Sequence, residues 1–329
     1  MIRRLSKPLT PSAYRRITWG ALALLVLIVL TGAGVRLTGS GLGCTDWPNC
    51  TDTQFVAPME LHPMVEFMNR LVTGLVSIAV AAAVLGSLRR VPRRRDLTWL
   101  SIGLVGGVVA QILVGRVVVV SDLNPWWVQM HMVVSLVLVA DATLLTHRAG
   151  LPDDRPVRPA VTPALLRWGG LLVVMATTVV LTGTLVTGSG PHSGHNESDV
   201  TAIRRLPIAV HDAARIHGIA MIGFLAVTVW ILVQIRRHHP GGTLQGATDL
   251  LLTLLVIQAG IGYAQYFTGV PPLLVALHIL GACLVWFAAL NVFLHMRSPL
   301  ESGTVPGPSL AGEPDASPRT RGDLVPGRR

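Results

Sequence analysis

The chain has 329 residues, of which 51% are hydrophobic and only 13% charged, with a mean hydropathy of +0.56. That is too apolar for a soluble domain of this size and leaves an integral membrane protein. A formal net charge of +10 raises nucleic acid as a partner, and the placement of the basic residues removes it.

Eight segments reach the roughly 20 mostly apolar residues that a membrane-crossing helix needs. In chain order they cover 17–37, 65–88, 97–118, 126–147, 165–187, 208–235, 247–268 and 271–296. The first is too long for a cleaved signal peptide and is followed by further spans. Basic residues gather on alternate sides of these spans: Arg3, Arg4, Lys7, Arg15 and Arg16 before the first, Arg89 to Arg95 after the second, Arg148, Arg155, Arg158 and Arg167 after the fourth, Arg236 and Arg237 after the sixth, and Arg297 onwards after the eighth. The opposite loops hold only Arg204 and Arg205. By the positive-inside rule both termini are cytoplasmic, and the charge reports topology. Residues 1–16 read as a cytoplasmic tail and 149–164 as a cytoplasmic linker. From 298 to 329 the chain is rich in Pro, Gly, Ser and Arg and reads as a disordered tail.

The spans form a repeat. LTGAGVRLTGSG (30–41) matches LTGTLVTGSG (181–190), with Gly39, Ser40 and Gly41 falling on Gly188, Ser189 and Gly190 at an offset of 149. EFMNRLVTGLVSIAV (66–80) lies over ARIHGIAMIGFLAVT (214–228) and puts Asn69 on His217 at 148; VQMHMVVSLV (128–137) lies over VALHILGACLV (275–285) and puts His131 on His278 at 147. The expected architecture is all-α, with eight transmembrane helices as two pseudo-symmetric four-helix bundles, 17–148 and 165–297, related by an axis along the membrane normal.

Ionisable residues inside spans are costly and mark function by default. Asn69, His131, His217 and His278 all lie roughly 5–15 Å in from the outer side at 1.5 Å per residue. Two histidines on facing helices of a bundle can clamp haem iron axially; the plainer alternative is a histidine that bonds a backbone carbonyl. The C-terminal half has the complete pair, His217 and His278. The N-terminal half keeps His131 but offers Asn69, which suits an open or labile iron site. His62, at the start of span 2, is either a replacement ligand or a loop residue. Glu66 shares a helix face with Asn69, and its repeat counterpart is Ala214. It is either paired with Arg36, Arg70 or Arg116, or kept protonatable for proton transfer. Those three arginines, and Arg215 in the second half, either grip haem propionates or snorkel to the interface.

Cys44 and Cys50 fall in the first outer loop, where a disulfide can persist, as a structural staple or as a redox couple. Gly39, Ser40, Gly41 and Gly43 supply the turn that folds this loop over the bundle mouth. Cys283 in span 8 reads as packing.

VRLTGSGLGCTDWPNC (35–50), the EFMNR segment (66–70) and the single histidine in each of spans 4, 6 and 8 resemble the haem A synthase family over roughly residues 17–296. The resemblance implies a bacterial cell-membrane enzyme that oxidises the C8 methyl of haem O to the formyl of haem A for cytochrome oxidase. It implies haem b on His217 and His278, haem O as substrate in the first half, a catalytic Glu66, and Cys44 with Cys50 as the outer-loop pair. It also implies a haem O synthase that hands over the substrate and an electron acceptor that the sequence does not identify. The family commonly has His where this chain has Asn69. Rival readings are a dihaem b-type electron carrier and a haem transporter or chaperone.

Overall fold

In the computed structural model, residues 8–46, 49–196, 203–238 and 241–299 are described. The basic residues of the first seven positions, the Trp47-Pro48 pair of the first loop and the tail from residue 300 lie outside them. Eight helices run in chain order: α1 Pro11–Leu37, α2 Leu61–Arg89, α3 Arg95–Val120, α4 Pro125–Ala149, α5 Pro163–Ser189, α6 Val210–His238, α7 Gly242–Phe267 and α8 Pro272–His295. All eight are long and apolar enough to cross a membrane, so the protein is an all-α integral membrane protein.

The helices overrun the apolar segments because capping, which a hydropathy window does not register, sets their ends. α1 starts at Pro11, inside the expected tail, behind Thr10, whose side chain accepts from the Ala13 amide. Thr162 does the same for α5 and Asn124 for α4, each followed by a proline. Proline at the first helical position loses no bond there and has the right φ. At the far end of α8, Arg297–Pro299 forms a short strand antiparallel to Val157–Pro159 of the linker. Ser298 and Pro299 therefore belong to a ribbon, where the sequence put the start of a disordered tail.

Within each half, consecutive helices pack as hairpins, and α1 on α4 and α5 on α8 close the two bundles. The halves meet where α4 touches α8, α1 touches α8, and α4 touches α5. This set of touching pairs is unchanged when each helix is exchanged for the one four places along. The turns agree too. Asp122 and Leu123 between α3 and α4 have positive φ, as do Gly269 and Val270 between α7 and α8, at the same offset of 147.

We call the end of the bundles that carries Cys44 and Cys50 the disulfide end and the other the basic end. In α3, α4, α7 and α8 the buried side chains gather toward the basic end. α3 has no buried residue beyond Val108, α7 none beyond Gln258, α8 none before Cys283, and α4 only Pro125 before Leu136. Space between helices therefore opens toward the disulfide end. At the basic end Arg90, fully buried, holds Asp153 of the linker through two bonds of 2.7 and 3.0 Å.

Candidate functional site

The open space in the C-terminal half is a cavity of about 100 Å³. Its lining is mostly apolar and includes Met221, Leu255, Trp286 and Cys283, with His217 and His278 on opposite helices. The two imidazole centroids are 6.4 Å apart and the rings nearly perpendicular, at 75°. A metal–imidazole bond of about 2 Å on each side of an iron, plus roughly 1 Å from nitrogen to ring centre, puts two axial ring centres about 6 Å apart. The separation of the pair matches that of two imidazoles on one iron.

The tautomer fits as well. His217 Nδ1 lies 3.0 Å from the Val179 carbonyl, which can only accept, and 3.2 Å from Thr182 Oγ1. The ring proton must sit on Nδ1, leaving Nε2 with the lone pair a metal needs.

Each histidine leans on a glycine of the preceding helix. A Cβ at Gly183 would lie 3.2 Å from His217 Cε1, at Gly262 3.3 Å from His278 Cε1, and at Gly115 3.2 Å from His131 Cε1. A Cβ there would need the ring to give by a few tenths of an ångström. A second brace acts on the backbone: Gln258 Nε2 donates to the His278 carbonyl at 2.9 Å, and Gln111 Nε2 to the His131 carbonyl at 3.1 Å. Gln111 also donates to Ser135 Oγ. Both glutamine Oε1 atoms, and Nδ1 of both His131 and His278, are buried without a partner. Neither the glutamines nor the glycines were singled out from the sequence. The signal was present, since Gln111 and Gly115 fall on Gln258 and Gly262 at the 147 offset that pairs the histidines.

In the N-terminal half, Asn69 occupies the place of His217. Thr31 Oγ1 donates to Asn69 Oδ1 at 2.8 Å, as Thr182 contacts His217, and both threonines belong to an LTG segment. Glu66, one turn closer to the disulfide end, is buried. Its Oε1 pairs with Arg70 at 2.6 Å and its Oε2 accepts from the Cys44 amide at 2.8 Å. Of the alternatives the sequence left open, the ion pair with Arg70 is the one formed. Arg70 also donates to the carbonyls of Asp46 and Asn49, so the Glu66–Arg70 pair anchors the first loop.

That loop carries a Cys44–Cys50 disulfide, buried with Ala57 and Phe67 in a small cluster of its own. Its glycines serve close contact. A Cβ on Gly43 would collide with the backbone of His62. His62 Nδ1 bonds Ser40 Oγ at 3.0 Å. The loop also reaches the other half: Gly41 donates to the Gly194 carbonyl, and Arg36 donates to the carbonyls of His192 and Thr187 at 2.5 and 2.6 Å. Arg36 is thus engaged by carbonyls of α5 and the loop after it, and Arg70 by Glu66 and carbonyls of the first loop. Arg116 is exposed near the disulfide end of α3. Arg215 is exposed and pairs at 3.6 Å with Asp212 on its own helix, so it does not face the cavity. Cys283 is buried and free.

Fold and site together define an eight-helix membrane protein of two like halves, with braced imidazoles toward one end of each. The chain belongs to the COX15-CtaA family, described as cytochrome oxidase assembly protein, whose profile matches residues 15–290. It is similar to proteins named heme A synthase: one from Staphylococcus saprophyticus at 23% identity over 86% of this chain and 95% of that one. A Listeria monocytogenes protein of that name is 27% identical over 77% and 86%, and one from Lysinibacillus sphaericus 33% identical over 52% and 58%.

Proposed function

We propose that the protein is a haem A synthase, oxidising the C8 methyl group of haem O to the formyl group of haem A for cytochrome oxidase. The observation that carries this reading, beside the family, is the contrast between the halves. Two imidazoles face each other at 6.4 Å in the C-terminal bundle, while the equivalent pair in the N-terminal bundle is His131 with Asn69. A site saturated by two imidazoles suits a resident haem b; one with a single imidazole suits a haem that arrives as substrate and leaves as product. Haem b, when bound, supplies one-electron redox chemistry.

The chain does the rest. His217 and His278 fix the resident macrocycle, the apolar cavity wall keeps water out, and His131 orients the substrate. Glu66 shares a helix face with Asn69 and is the group placed to take a proton from the substrate side, with Arg70 as its counter-charge. Arg116 and the remaining N–H groups of Arg36 and Arg70 lie at the end where propionates would emerge. With both termini in the cytoplasm, as the basic loops direct, the site faces the outer leaflet of a bacterial cell membrane. Haem O would come from a haem O synthase in the same lipid bilayer, and a haem held by His217 and His278 would supply a one-electron path toward an acceptor.

The test is product analysis in a host that makes haem O but no haem A. Expression of this chain should yield haem A or its hydroxylated precursor in the extracted haem, identified by chromatography and mass. Folded, haem-loaded protein with only haem b and unmodified haem O would overturn the assignment.

A further inference from the structure

Asn69 is placed as a ligand would be, but what it presents is not a ligand. Its Oδ1 accepts from Thr31 Oγ1 at 2.8 Å, which leaves the two N–H groups of its amide nitrogen as the remaining polar contacts to offer. That nitrogen has two N–H donors and no lone pair to give a metal. Depth matches it to His131. Counting 1.5 Å per residue from the disulfide end of each helix, Asn69 lies about 12 Å in and His131 about 9 Å, while His62 lies within about 2 Å of the mouth. His62 is also bonded to Ser40 and sits against the backbone of Gly43, so it is held to the loop rather than level with His131. On the other side, His131 has glycine and glutamine braces equivalent to those of His278, while its facing partner differs.

We propose that the N-terminal bundle holds its haem iron through His131 alone, and that Asn69 offers its amide N–H to a small hydrogen-bond-accepting ligand on the opposite, open face. The inference rests on the haem reading above and goes beyond it. It makes Asn69 a recognition group for an oxygen- or nitrogen-based ligand, and it makes the two irons of one molecule differ in coordination number.

The experiment uses the full chain, purified with its haems from a host that makes haem O, and electron paramagnetic resonance of the ferric protein. Wild type should give a low-spin signal from the C-terminal half and a high-spin signal from the N-terminal half. Asn69→His should convert the high-spin signal to low-spin. Asn69→Leu should keep it but weaken azide binding roughly tenfold, the loss of one hydrogen bond to a charged acceptor. His62→Ala should leave both signals in place.

A wild-type N-terminal haem that is already low-spin sinks the proposal, and its conversion to high-spin in His62→Ala would name His62 as the second ligand. Unchanged azide affinity in Asn69→Leu removes the donor role. Failure of the haem reading has a different signature: a chain with a single haem, all of it lost in His278→Ala, has no substrate-side iron at all.

Discussion

The C-terminal half sets His217 against His278 across an apolar cavity, with Gly183, Gly262 and Gln258 holding the rings and backbone in place. The N-terminal half repeats much of that support in Thr31, Gly115 and Gln111, then changes what it supports. Asn69 replaces one imidazole, Glu66 stands where the other half has Ala214, and a disulfide-closed loop is fastened to that acid. A shared support with a few altered positions localises the chemistry. On the haem reading proposed above, Asn69, Glu66 and the loop over them are the first positions to test for what would set the two sites apart, since the glycine and glutamine braces recur in both halves.

The largest effects come from removing what each half does not share. His278→Ala takes away one of two imidazoles and should empty the C-terminal site. The measured haem per chain should fall by one equivalent and, on the function proposed above, haem A formation should stop. Retention of two haems would break the assignment of that half. Glu66→Gln keeps the shape and removes the charge. Haem A formation should fall roughly 100-fold or more, the scale of losing a positioned acid–base group, with the C-terminal haem unchanged by absorption spectroscopy. Normal product from this variant would reduce Glu66 to an anchor for the first loop.

The contrast was visible in the sequence because it lies in residue identities at fixed offsets. His131, His217, His278 and Asn69 could be aligned without any structure, and eight spans follow from hydropathy alone. What stayed hidden depends on side-chain direction and on contacts between distant segments. Arg90 was counted with the basic residues that set topology, yet it is buried and pairs with Asp153, 63 positions away. Arg36 was a candidate for propionates, yet two of its donors go to carbonyls near residue 190. The polar side of Gln111 and Gln258 was legible, but their bond to a histidine carbonyl twenty residues on needs the α3–α4 and α7–α8 hairpins to be in register. Helix ends moved outward because Thr10 and Thr162 caps act on backbone amides that hydropathy does not weigh.

A smaller effect separates the loops. Closing seven residues by the Cys44–Cys50 bridge is worth about 2 kcal/mol in the loop-entropy account. The bridge is 1% exposed at each sulfur-bearing residue, so a reductant has to wait for the loop to open. Cys44→Ser with Cys50→Ser should lower the thermal midpoint of the N-terminal haem site while leaving the C-terminal haem transition in place. If both transitions fall together, the loop staples the whole disulfide end through the bond from Gly41 to Gly194, and the halves do not unfold separately.

The finest test compares the two glutamine braces. Gln258→Leu removes a 2.9 Å bond to the His278 carbonyl, worth about 1 kcal/mol, and also removes a buried acceptor that has no partner, so the two changes offset and net stability should move by less than about 1 kcal/mol. The orientation of the helix segment bearing His278 is no longer fixed, however, and the low-spin resonance of the C-terminal haem should shift or broaden. Gln111→Leu should leave that resonance untouched and alter only the high-spin signal, by more, because Gln111 holds Ser135 as well as the His131 carbonyl. Each brace then tunes its own iron. If Gln258→Leu disturbs the N-terminal signal equally, the coupling runs through the inner helices, where the Trp286 indole donates to the Leu136 carbonyl at 3.0 Å. The two halves would then be one electronic and mechanical unit rather than a pair of variants on one support.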